Sequence, residues 1–371
     1  MQSVGLYIHT PFCVSKCPYC DFYSLPLGGE EQLDRYTAGV LTSLERWAEQ
    51  YAFAADTLYF GGGTPALLGG DRLGAIIRRA DQLFGLLSHN PEITLEANPA
   101  DNLTDTLSAF AAAGGNRLSL GMQSAIPEEL HRLGRRHTPA DVERTMADAR
   151  RAGIENISLD VMLGISGQTE GSAMTSVERA AELGATHVSA YLLKIEPNTP
   201  YGCCPPPLPE EDATADVYLA VMDRLDSLGY HQYEISNTAK PGYEGRHNLK
   251  YWDSLPYLGI GPAASSCLDG RRFTYPRDTA HFLAGGKPVD DPEEGTAVGS
   301  PEEYALLRLR LTDGLTIAGY TQRFGTSLPQ NWVENARRLP PNLVTVSDRE
   351  ISLTREGFLL SNSLICHILS E

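Results

Sequence analysis

The chain has 371 residues, of which 42% are hydrophobic and 21% charged, and its net charge of −17 gives a pI of about 5.0. This length and composition predict a globular protein of about two or three domains, or one large barrel with an appendage. The excess of acidic residues argues against a nucleic-acid binder held by phosphate contacts. No apolar run reaches the roughly 18 residues of a membrane span, and no signal peptide is indicated.

The cysteines give the first indication of chemistry. The chain has seven of them, an odd number, and three lie close together near its start. A disulfide framework would use an even number in a secreted chain. The pattern therefore predicts metal binding in a reducing compartment, the cytoplasm.

The three clustered cysteines follow the first predicted strand, residues 5–9. Cys13, Cys17 and Cys20 form a C-x3-C-x2-C pattern, and the next cysteine is Cys203. Thiolates suit iron–sulfur clusters and zinc, and a closed site of either kind needs four ligands. Three thiolates on a cluster of four irons would leave one iron open as a reaction site. Two alternatives stay open at this point, a zinc site completed by a distant side chain and three unrelated buried thiols.

Strands and helices then alternate along the chain. Apolar residues at helical spacing predict helices over 30–51, 73–87, 104–114, 141–153, 175–184 and 217–229. Between them, strands are predicted over 56–60, 92–97, 116–124 (with its exit loop), 156–164 and 187–193, with a seventh over 230–236. Repeated strand–helix units of this length indicate parallel strands covered by helices, an α/β fold.

A glycine run follows the second predicted strand. Gly61, Gly62 and Gly63 precede Thr64 and Pro65. Glycines permit unusual backbone angles and leave no side chain in the way of a ligand. The run predicts a loop where a small polar ligand contacts the main chain, and a plain flexible turn is the alternative.

Polar residues also stand at the ends of the following strands. They are Glu96, Gln123, Asp160 and Lys194. The carboxyl ends of parallel barrel strands share one mouth, where active sites form. The sequence therefore predicts that these side chains meet the cysteine loop and the glycine loop.

At this point the chain resembles the radical S-adenosylmethionine (SAM) proteins, which carry this cysteine spacing with an aromatic, here Tyr19, before the third cysteine. Within them it is similar, over essentially its whole length, to the family of oxygen-independent coproporphyrinogen III dehydrogenase and HemW. The matching positions are Tyr7, Cys13, Cys17, Cys20, Gly62, Gly63, Thr64, Glu96, Asn98, Pro99, Gln123, Arg135 and Asp160.

The resemblance implies a partial (βα)6 TIM-like barrel in which the three cysteines hold a [4Fe-4S] cluster. The open iron would chelate the amino and carboxylate groups of SAM, and the other matching residues would bind its polar groups. The chemistry suits them, since Arg135 can fork onto a carboxylate, while Gln123 and Asp160 can hydrogen-bond ribose hydroxyls. Glu96 would be an anionic acceptor. An electron donor is implied, because reductive cleavage of SAM gives methionine and a 5′-deoxyadenosyl radical.

A second informative stretch lies after a proline-rich, stiff connector over 197–212. His247, Asn248, Tyr251 and Trp252 form an H-N-x-x-Y-W pattern. Alone, it predicts a helix start with aromatics in the core. It also matches a HemW pattern that the resemblance associates with heme, which makes His247 a candidate heme-binding residue. The glycine-rich stretch 259–266 lacks the histidine that related chains often carry there.

The last part of the chain predicts a separate module. An acidic linker over 290–295 precedes a helix that starts with a capping box, Ser300 to Glu303. A hairpin over 343–353 and a last helix over 358–369 complete a winged-helix-like domain. The predicted divisions are therefore a barrel over 1–236, a connecting segment with the H-N-x-x-Y-W pattern over 237–297, and this domain over 298–371.

The resemblance offers two functions. One is a heme chaperone, whose partners are heme, heme-accepting apoproteins, an electron donor and a second copy in a homodimer, with no nucleic acid and no membrane span. The other is coproporphyrinogen III dehydrogenase. Phe22 stands where the dehydrogenase motif has a further cysteine, only six residues precede Tyr7, and the His247 pattern is present. These features favour the chaperone, and a radical SAM enzyme on an unknown substrate is a third hypothesis.

Overall fold

A computed structural model describes residues 3–99, 102–291 and 297–370. Part of the predicted acidic linker, residues 292–295, lies outside the described residues.

The first half of the chain alternates strands and helices as the periodicity predicts. Its strands are β1 (Ser3–Thr10), β2 (Phe12–Cys13), β3 (Leu25–Pro26), β4 (Ala54–Gly62), β5 (Glu92–Ala97), β6 (Arg117–Gln123), β7 (Asn156–Leu163) and β8 (His187–Leu192). Its helices are α1 (Glu30–Gln50), α2 (Gly69–Phe84), α3 (Thr104–Ala112), α4 (Pro127–Arg132), α5 (Pro139–Arg151) and α6 (Glu170–Glu182).

Six of these strands form a curved parallel sheet in sequence order, β1-β4-β5-β6-β7-β8. Outward-facing residues such as Leu118 and Leu120 are fully buried under the covering helices. The predicted partial (βα)6 barrel is confirmed. Parallel strands with short crossover helices bring their carboxyl ends to one edge, which is where the polar residues were predicted to meet.

The inner face of the sheet is polar. Alternate positions of the central strands place Glu96, Ser119, Asp160 and Ser189 toward a cavity. A closed eight-stranded barrel fills this space with layers of branched apolar side chains. Here the space is lined by groups that need hydrogen-bond partners, which is typical of a ligand chamber.

The middle part of the chain extends this sheet at both edges with β9 (His231–Gln232), β10 (Asn237–Ala239), β11 (Tyr257–Ile260), β12 (Ser265–Leu268), β13 (Arg271–Thr274) and β14 (Val289–Asp290). The last part has three more strands, β15 (Leu315–Thr316), β16 (Val344–Val346) and β17 (Glu350–Leu353), which form a separate sheet. β10 and β9 add to β8 in antiparallel order, while β11 pairs in parallel with β1 and is followed by antiparallel β12, β13 and β14.

Two predictions are wrong in detail in this region. The seventh strand over 230–236 is replaced by the short antiparallel hairpin of β9 and β10. The connector over 197–212 contains a helical turn, because Thr199 caps it by accepting a hydrogen bond from Gly202 N at 3.0 Å and Pro200 takes the first helical position.

The helices of the second half are α7 (Pro200–Cys203), α8 (Glu211–Ser227), α9 (Arg246–Trp252), α10 (Thr279–Leu283), α11 (Pro301–Arg308), α12 (Ile317–Phe324), α13 (Gln330–Arg337), α14 (Arg355–Leu359) and α15 (Ser361–Ile368). α9 contains the H-N-x-x-Y-W pattern. Its first backbone amides, of Arg246 and His247, donate to the two carboxylate oxygens of Glu92 at 3.0 and 2.9 Å. Since Glu92 begins β5, α9 lies against the amino ends of the barrel strands.

The C-terminal part has its own apolar core, around Tyr320, Trp332 and Phe358, and a three-stranded sheet ordered β15-β17-β16. Helices and a small sheet confirm the winged-helix-like domain. Ser300 caps α11 as predicted, accepting from Glu303 N at 3.1 Å. The single last helix is wrong, because the chain breaks at Leu360 into α14 and α15. None of the described helices is long and apolar enough to cross a lipid bilayer.

Candidate functional site

The cysteine loop leaves β1 and is fixed at both ends. β2 and β3 pair across it, Phe12 with Leu25 and Cys13 with Pro26, and Leu27 N donates to Cys13 O at 3.1 Å. Inside the loop, Cys20 N donates to Cys17 O at 3.1 Å. The three thiols are half-buried and form no disulfide. A loop pinned in this way holds its thiols in place before any metal binds.

Two of the three sulfurs accept hydrogen bonds from neighbouring loops. The Thr64 hydroxyl donates to Cys13 Sγ, and Arg135 Nη1 donates to Cys17 Sγ, both at 3.6 Å. These donors orient two of the three sulfurs, and they can stay in place when the sulfurs bind metal.

Asn98 joins these two donors into one network. Arg135 Nη2 donates to Asn98 Oδ1 at 2.7 Å and to Gly121 O at 2.8 Å. Asn98 Nδ2 in turn donates to Thr64 Oγ1 at 2.8 Å. In the sequence, Asn98 is one of the matching family positions, and no contact of its own is assigned to it. In the structure it links the end of β5 to the two donor side chains.

The glycine loop is required for close packing as well as for conformation. Gly62 has φ +107°, which residues with a side chain rarely adopt, and a Cβ at Gly63 would lie 2.5 Å from Phe12 O. Gly63 N donates to Thr10 O at 2.8 Å. The loop therefore lies directly on the chain that enters the cysteine loop.

Glu96 and Asp160 are carboxyls facing the same cleft. The Tyr59 hydroxyl donates to Glu96 Oε1 at 2.8 Å and Gly62 N donates to Oε2 at 3.2 Å, while the Ser119 hydroxyl donates to Asp160 at 3.5 Å. Burial raises the pKa of Glu96 to about 7, assisted by the charge of Asp160, and burial raises the pKa of Asp160 to about 6. A cationic ligand here would be stabilised by both carboxylates.

Gln123 is held in a strained conformation at the end of β6. Its φ is +65°, and the pairing of β6 with β7 shifts between Leu120 and Gln123. Its Oε1 accepts a hydrogen bond from Tyr191 at 2.8 Å. A left-handed backbone at a residue other than glycine costs about 1 kcal/mol or more and is concentrated at ligand sites.

Most of the predicted site residues line one cleft of about 170 Å³. These are Cys13, Cys17, Cys20, Gly62, Gly63, Thr64, Glu96, Gln123, Arg135 and Asp160. Tyr7 lies behind the glycine loop, where its ring would be 2.9 Å from a Cβ on Gly61 and its hydroxyl contacts His9 Nδ1 at 3.0 Å. Tyr7 therefore supports the wall of the cleft.

His247 is not brought to this cleft. It is 1% exposed, its Nδ1 lies 2.8 Å from the Thr57 hydroxyl, and its Nε2 lies 2.8 Å from the Tyr251 hydroxyl. Its ring stacks on Tyr59, with centroids 5.2 Å apart. Burial, with the nearby Lys250 ammonium, lowers the pKa of His247 to about 3, so the ring is neutral. Both ring nitrogens are engaged, so the placement does not support His247 as a ligand of heme iron.

The donor set fits an iron–sulfur cluster. No group of three or more His, Cys, Asp or Glu side chains among the described residues converges on a point that one metal ion could occupy. A cluster of four irons does not require such convergence, because each thiolate binds a different iron. The three free thiols on the pinned loop can each bind a different iron, and two of their sulfurs already accept hydrogen bonds from the protein.

Known proteins match both the parts and the whole of the chain. The family model described as "Radical SAM superfamily" matches residues 7–180, and the family model described as "HemN C-terminal domain" matches residues 300–360. The heme chaperone HemW of Escherichia coli K12 is 39% identical, an alignment that covers 100% of this chain and 99% of that one. HemW of Bacillus subtilis 168 is 33% identical over 98% of this chain and 99% of its own.

The chain belongs to the HemW family of radical SAM proteins. Membership of that superfamily implies a [4Fe-4S] cluster and SAM. A solved structure of coproporphyrinogen III oxidase (HemN) from E. coli superimposes with a TM-score of 0.83 at 20% identity, covering 99% of this chain and 90% of that one. At that identity the match shows a shared fold.

Three further residues of this HemW-family chain hold the predicted site residues in place, and the sequence did not single them out. Tyr59 holds Glu96, Tyr191 holds Gln123, and Ser119 holds Asp160. Each of these lies at an inward-facing strand position, two residues from another inward-facing position. The period-two alternation of the strands is the signal that could have identified them.

The buried carboxyl of Glu96 predicts a pH-dependent stability. The pKa of Glu96 is about 7 in the folded protein and near 4.5 in the unfolded chain. The contribution of the protonated carboxyl to folding stability is therefore fully present below pH 4.5 and is lost as the pH rises through 7. Glu96→Gln removes a buried negative charge at high pH. We expect it to stabilise the ligand-free protein by about 2 kcal/mol more at pH 8.5 than at pH 5.

Thermal unfolding of the variant and the wild type at both pH values measures this difference. Glu31→Gln, on the exposed first turn of α1, is the matched control and should give the same change at both pH values. Equal effects of Glu96→Gln at pH 5 and 8.5 would contradict the raised pKa.

Proposed function

We propose that this chain is a heme chaperone that binds heme and passes it to apoproteins, and that it carries a [4Fe-4S] cluster and SAM. The observation that carries this proposal is the full-length identity of 33–39% to proteins named heme chaperone HemW in E. coli and B. subtilis. The intact cofactor cleft and the HemN-type C-terminal domain support it.

In this proposal the three thiolates of Cys13, Cys17 and Cys20 hold the cluster and leave one iron for SAM. When bound, the cluster supplies an electron to SAM, which makes reductive cleavage of the sulfonium available. The chain's own residues orient the ligand. The Arg135 guanidinium would pair with the carboxylate of SAM, and Glu96 would accept a hydrogen bond from its amino group.

Gln123 and Asp160 are proposed to bind the ribose. Both lie on neighbouring strands, and their side chains accept hydrogen bonds from Tyr191 and Ser119, which line the same cleft. The main-chain groups of the glycine loop complete the binding of the polar groups of SAM. Tyr7 supports this loop from behind.

Location and partners are part of the same proposal. All cysteines of the described residues are free of disulfides, in keeping with a proposed location in the cytoplasm. An electron donor that reduces the cluster is part of the proposal, as is a homodimer. The acidic surface implied by the net charge of −17 and the C-terminal domain are proposed to dock acceptor apoproteins.

The cluster assignment predicts the outcome of a single substitution. Cys17→Ser should reduce the iron content of anaerobically reconstituted protein from about four atoms per chain to a small fraction, because two thiolates do not retain a cubane. Iron analysis and the EPR spectrum of the reduced protein measure this. Cys203→Ser, at an exposed cysteine outside the cleft, is the control and should keep its cluster. A Cys17→Ser protein with full iron would refute the assignment.

The chaperone and dehydrogenase functions are separated by one paired experiment. Reconstituted protein is titrated with heme and, in parallel, incubated anaerobically with coproporphyrinogen III, SAM and reductant. We expect a shifted Soret band and no decarboxylated product. Phe22, 65% exposed at the end of the cysteine motif, stands where the dehydrogenase motif has a cysteine. Decarboxylation would identify the chain as the dehydrogenase. If the Soret band does not shift and no decarboxylated product forms, the heme proposal is refuted.

The placement of His247 gives a third expectation. His247→Ala should bind heme within about threefold of wild type, because neither ring nitrogen is free to reach iron. Its melting temperature should fall, since the buried Thr57 and Tyr251 hydroxyls lose their partner. Heme titration and thermal unfolding are measured on the same preparation. Loss of heme binding by a variant that melts like the wild type would instead make His247 a heme ligand.

A further inference from the structure

Beside the cofactor cleft, the barrel interior opens into a chamber of about 710 Å³. One part of its wall is apolar and exposed to solvent, with Phe22 at 65% and Leu192 at 39% exposure. The opposite part is polar and buried, with Arg117 and His187 at 3% and 2% exposure. The chamber therefore suits an amphipathic ligand, with an apolar body toward the opening and polar groups inside.

Arg117 is the unusual residue of the buried part. Its Nε is buried without a hydrogen-bond partner, and none of the ion pairs or side-chain hydrogen bonds found among the described residues includes its guanidinium. A buried arginine is almost always paired, because an unpaired charge away from water costs several kcal/mol. The guanidinium faces the chamber, so the missing partner would come from a ligand.

The carboxyls of the protein do not supply this partner. Glu96 and Asp160 influence Arg117 electrostatically, but neither forms an ion pair with it, and Glu96 is already held by Tyr59 and Gly62. On the other side lies Gly245, where a Cβ would be 3.8 Å from Arg117 Nη2 and whose amide donates to the hydroxyl of Tyr233. Burial raises the pKa of Tyr233, so its phenol stays neutral. The site is thus built for an anion that the chain itself does not provide.

The anion is not the carboxylate of SAM. That group is proposed to lie at the cluster, near Arg135, which hydrogen-bonds to Gly121 O on β6. Arg117 begins the same strand, four residues earlier, which is about 13 Å along it. A second ligand is required to bring a carboxylate to Arg117.

We infer that Arg117 anchors a carboxylate of the ligand that occupies the chamber. The planar fork of a guanidinium matches a carboxylate in a bidentate pair. Asn248, which lines the same chamber, is placed to add an amide hydrogen bond. Asn248 is the second residue of the H-N-x-x-Y-W pattern. In this inference the pattern contacts the ligand through Asn248, and His247 is buried behind it.

This inference rests on the proposed function, under which the ligand is heme and the carboxylate is one of its propionates. A porphyrin has a flat apolar body, which the wall formed by Phe22, Leu192 and Leu193 can cover, and two propionates that need cationic partners. The combination of one apolar wall and one unpaired buried guanidinium matches both parts of that ligand.

The test uses esterification to remove the anion from the ligand. Cluster-reconstituted protein is titrated with hemin and with hemin dimethyl ester, which differ in the charge of the propionates. The wild type should bind hemin about 10- to 100-fold more tightly than the diester, the range expected for a hydrogen bond between charged groups. This comparison needs no variant, so it stands even if a substitution impairs folding.

Arg117→Gln should weaken hemin binding by a similar factor and leave diester binding unchanged, which removes the preference. Arg117→Lys should keep part of it, because the charge remains without the fork. The matched control is Arg144→Gln on α5, where the Arg144 side chain is 53% exposed. This variant should keep the full preference for hemin over the diester. Far-UV circular dichroism confirms that each variant is folded.

The outcomes separate the two proposals. A wild type that binds neither ligand refutes the heme proposal and this inference with it. A wild type that binds hemin and the diester equally, or an Arg117→Gln protein that keeps the preference, refutes the inference alone and leaves heme binding in place. Loss of the preference in Arg117→Gln, with retention in Arg144→Gln, supports Arg117 as the anchor.

Discussion

The proposed site depends on a cluster that is held by three protein ligands and not four. The proposed ligands, Cys13, Cys17 and Cys20, lie on one short loop that is pinned by strand pairing at its ends. A fourth protein ligand would complete the coordination and leave no position for a substrate. Everything else in the cleft surrounds the space above that loop, and the hydrogen bonds through Arg135, Asn98 and Thr64 connect it to the strand ends.

A second constraint follows from leaving the inside of the barrel unfilled. The sheet gains its apolar packing on the outer face, where the helices cover it, and the inner face is left with carboxyls, hydroxyls and a guanidinium. Such groups are costly to bury without partners. The raised pKa values of Glu96 and Asp160, both caused by burial, and the unpaired Nε of Arg117 show where the ligand-free protein carries this cost. Binding of cationic and anionic ligand groups would relieve it.

The closure of the barrel at the amino ends of its strands explains the position of His247. α9 is anchored to β5 through Glu92, and this anchoring directs the imidazole inward onto Tyr59, which in turn holds Glu96. The histidine is thereby connected to the cofactor cleft through two side chains. In this structure its position is that of a packing and positioning residue.

Periodicity and motifs were sufficient for the parallel strands, the covering helices and Glu96, Gln123 and Asp160 at the strand ends, because these follow from local patterns that repeat. The prediction that Lys194 meets the same loops is wrong, because its side chain is 81% exposed and pairs with Glu196. The same patterns could not place His247, since a motif specifies residue types but not the direction in which a buried side chain points. Asn98 was given no contact of its own, because its partners are distant in sequence, and Arg117 was given no role, because its proposed partner is a ligand. The strands β11 to β14 are only two to four residues long, too short to show a period, and the hairpin of β9 and β10 was mistaken for one strand for the same reason. The break between α14 and α15 falls at Leu360, whose backbone leaves the helical region (φ −112°, ψ 16°), and the helical spacing of the segment does not reveal it.

The most direct test of the open iron is electron–nuclear double resonance on the reduced protein frozen with SAM that carries nitrogen-15 in its amino group or oxygen-17 in its carboxylate. If three thiolates leave one iron for SAM, each label should give a hyperfine coupling to the cluster, and SAM should alter the EPR spectrum. A cluster spectrum that SAM leaves unchanged, with no coupling from either label, would contradict an open iron.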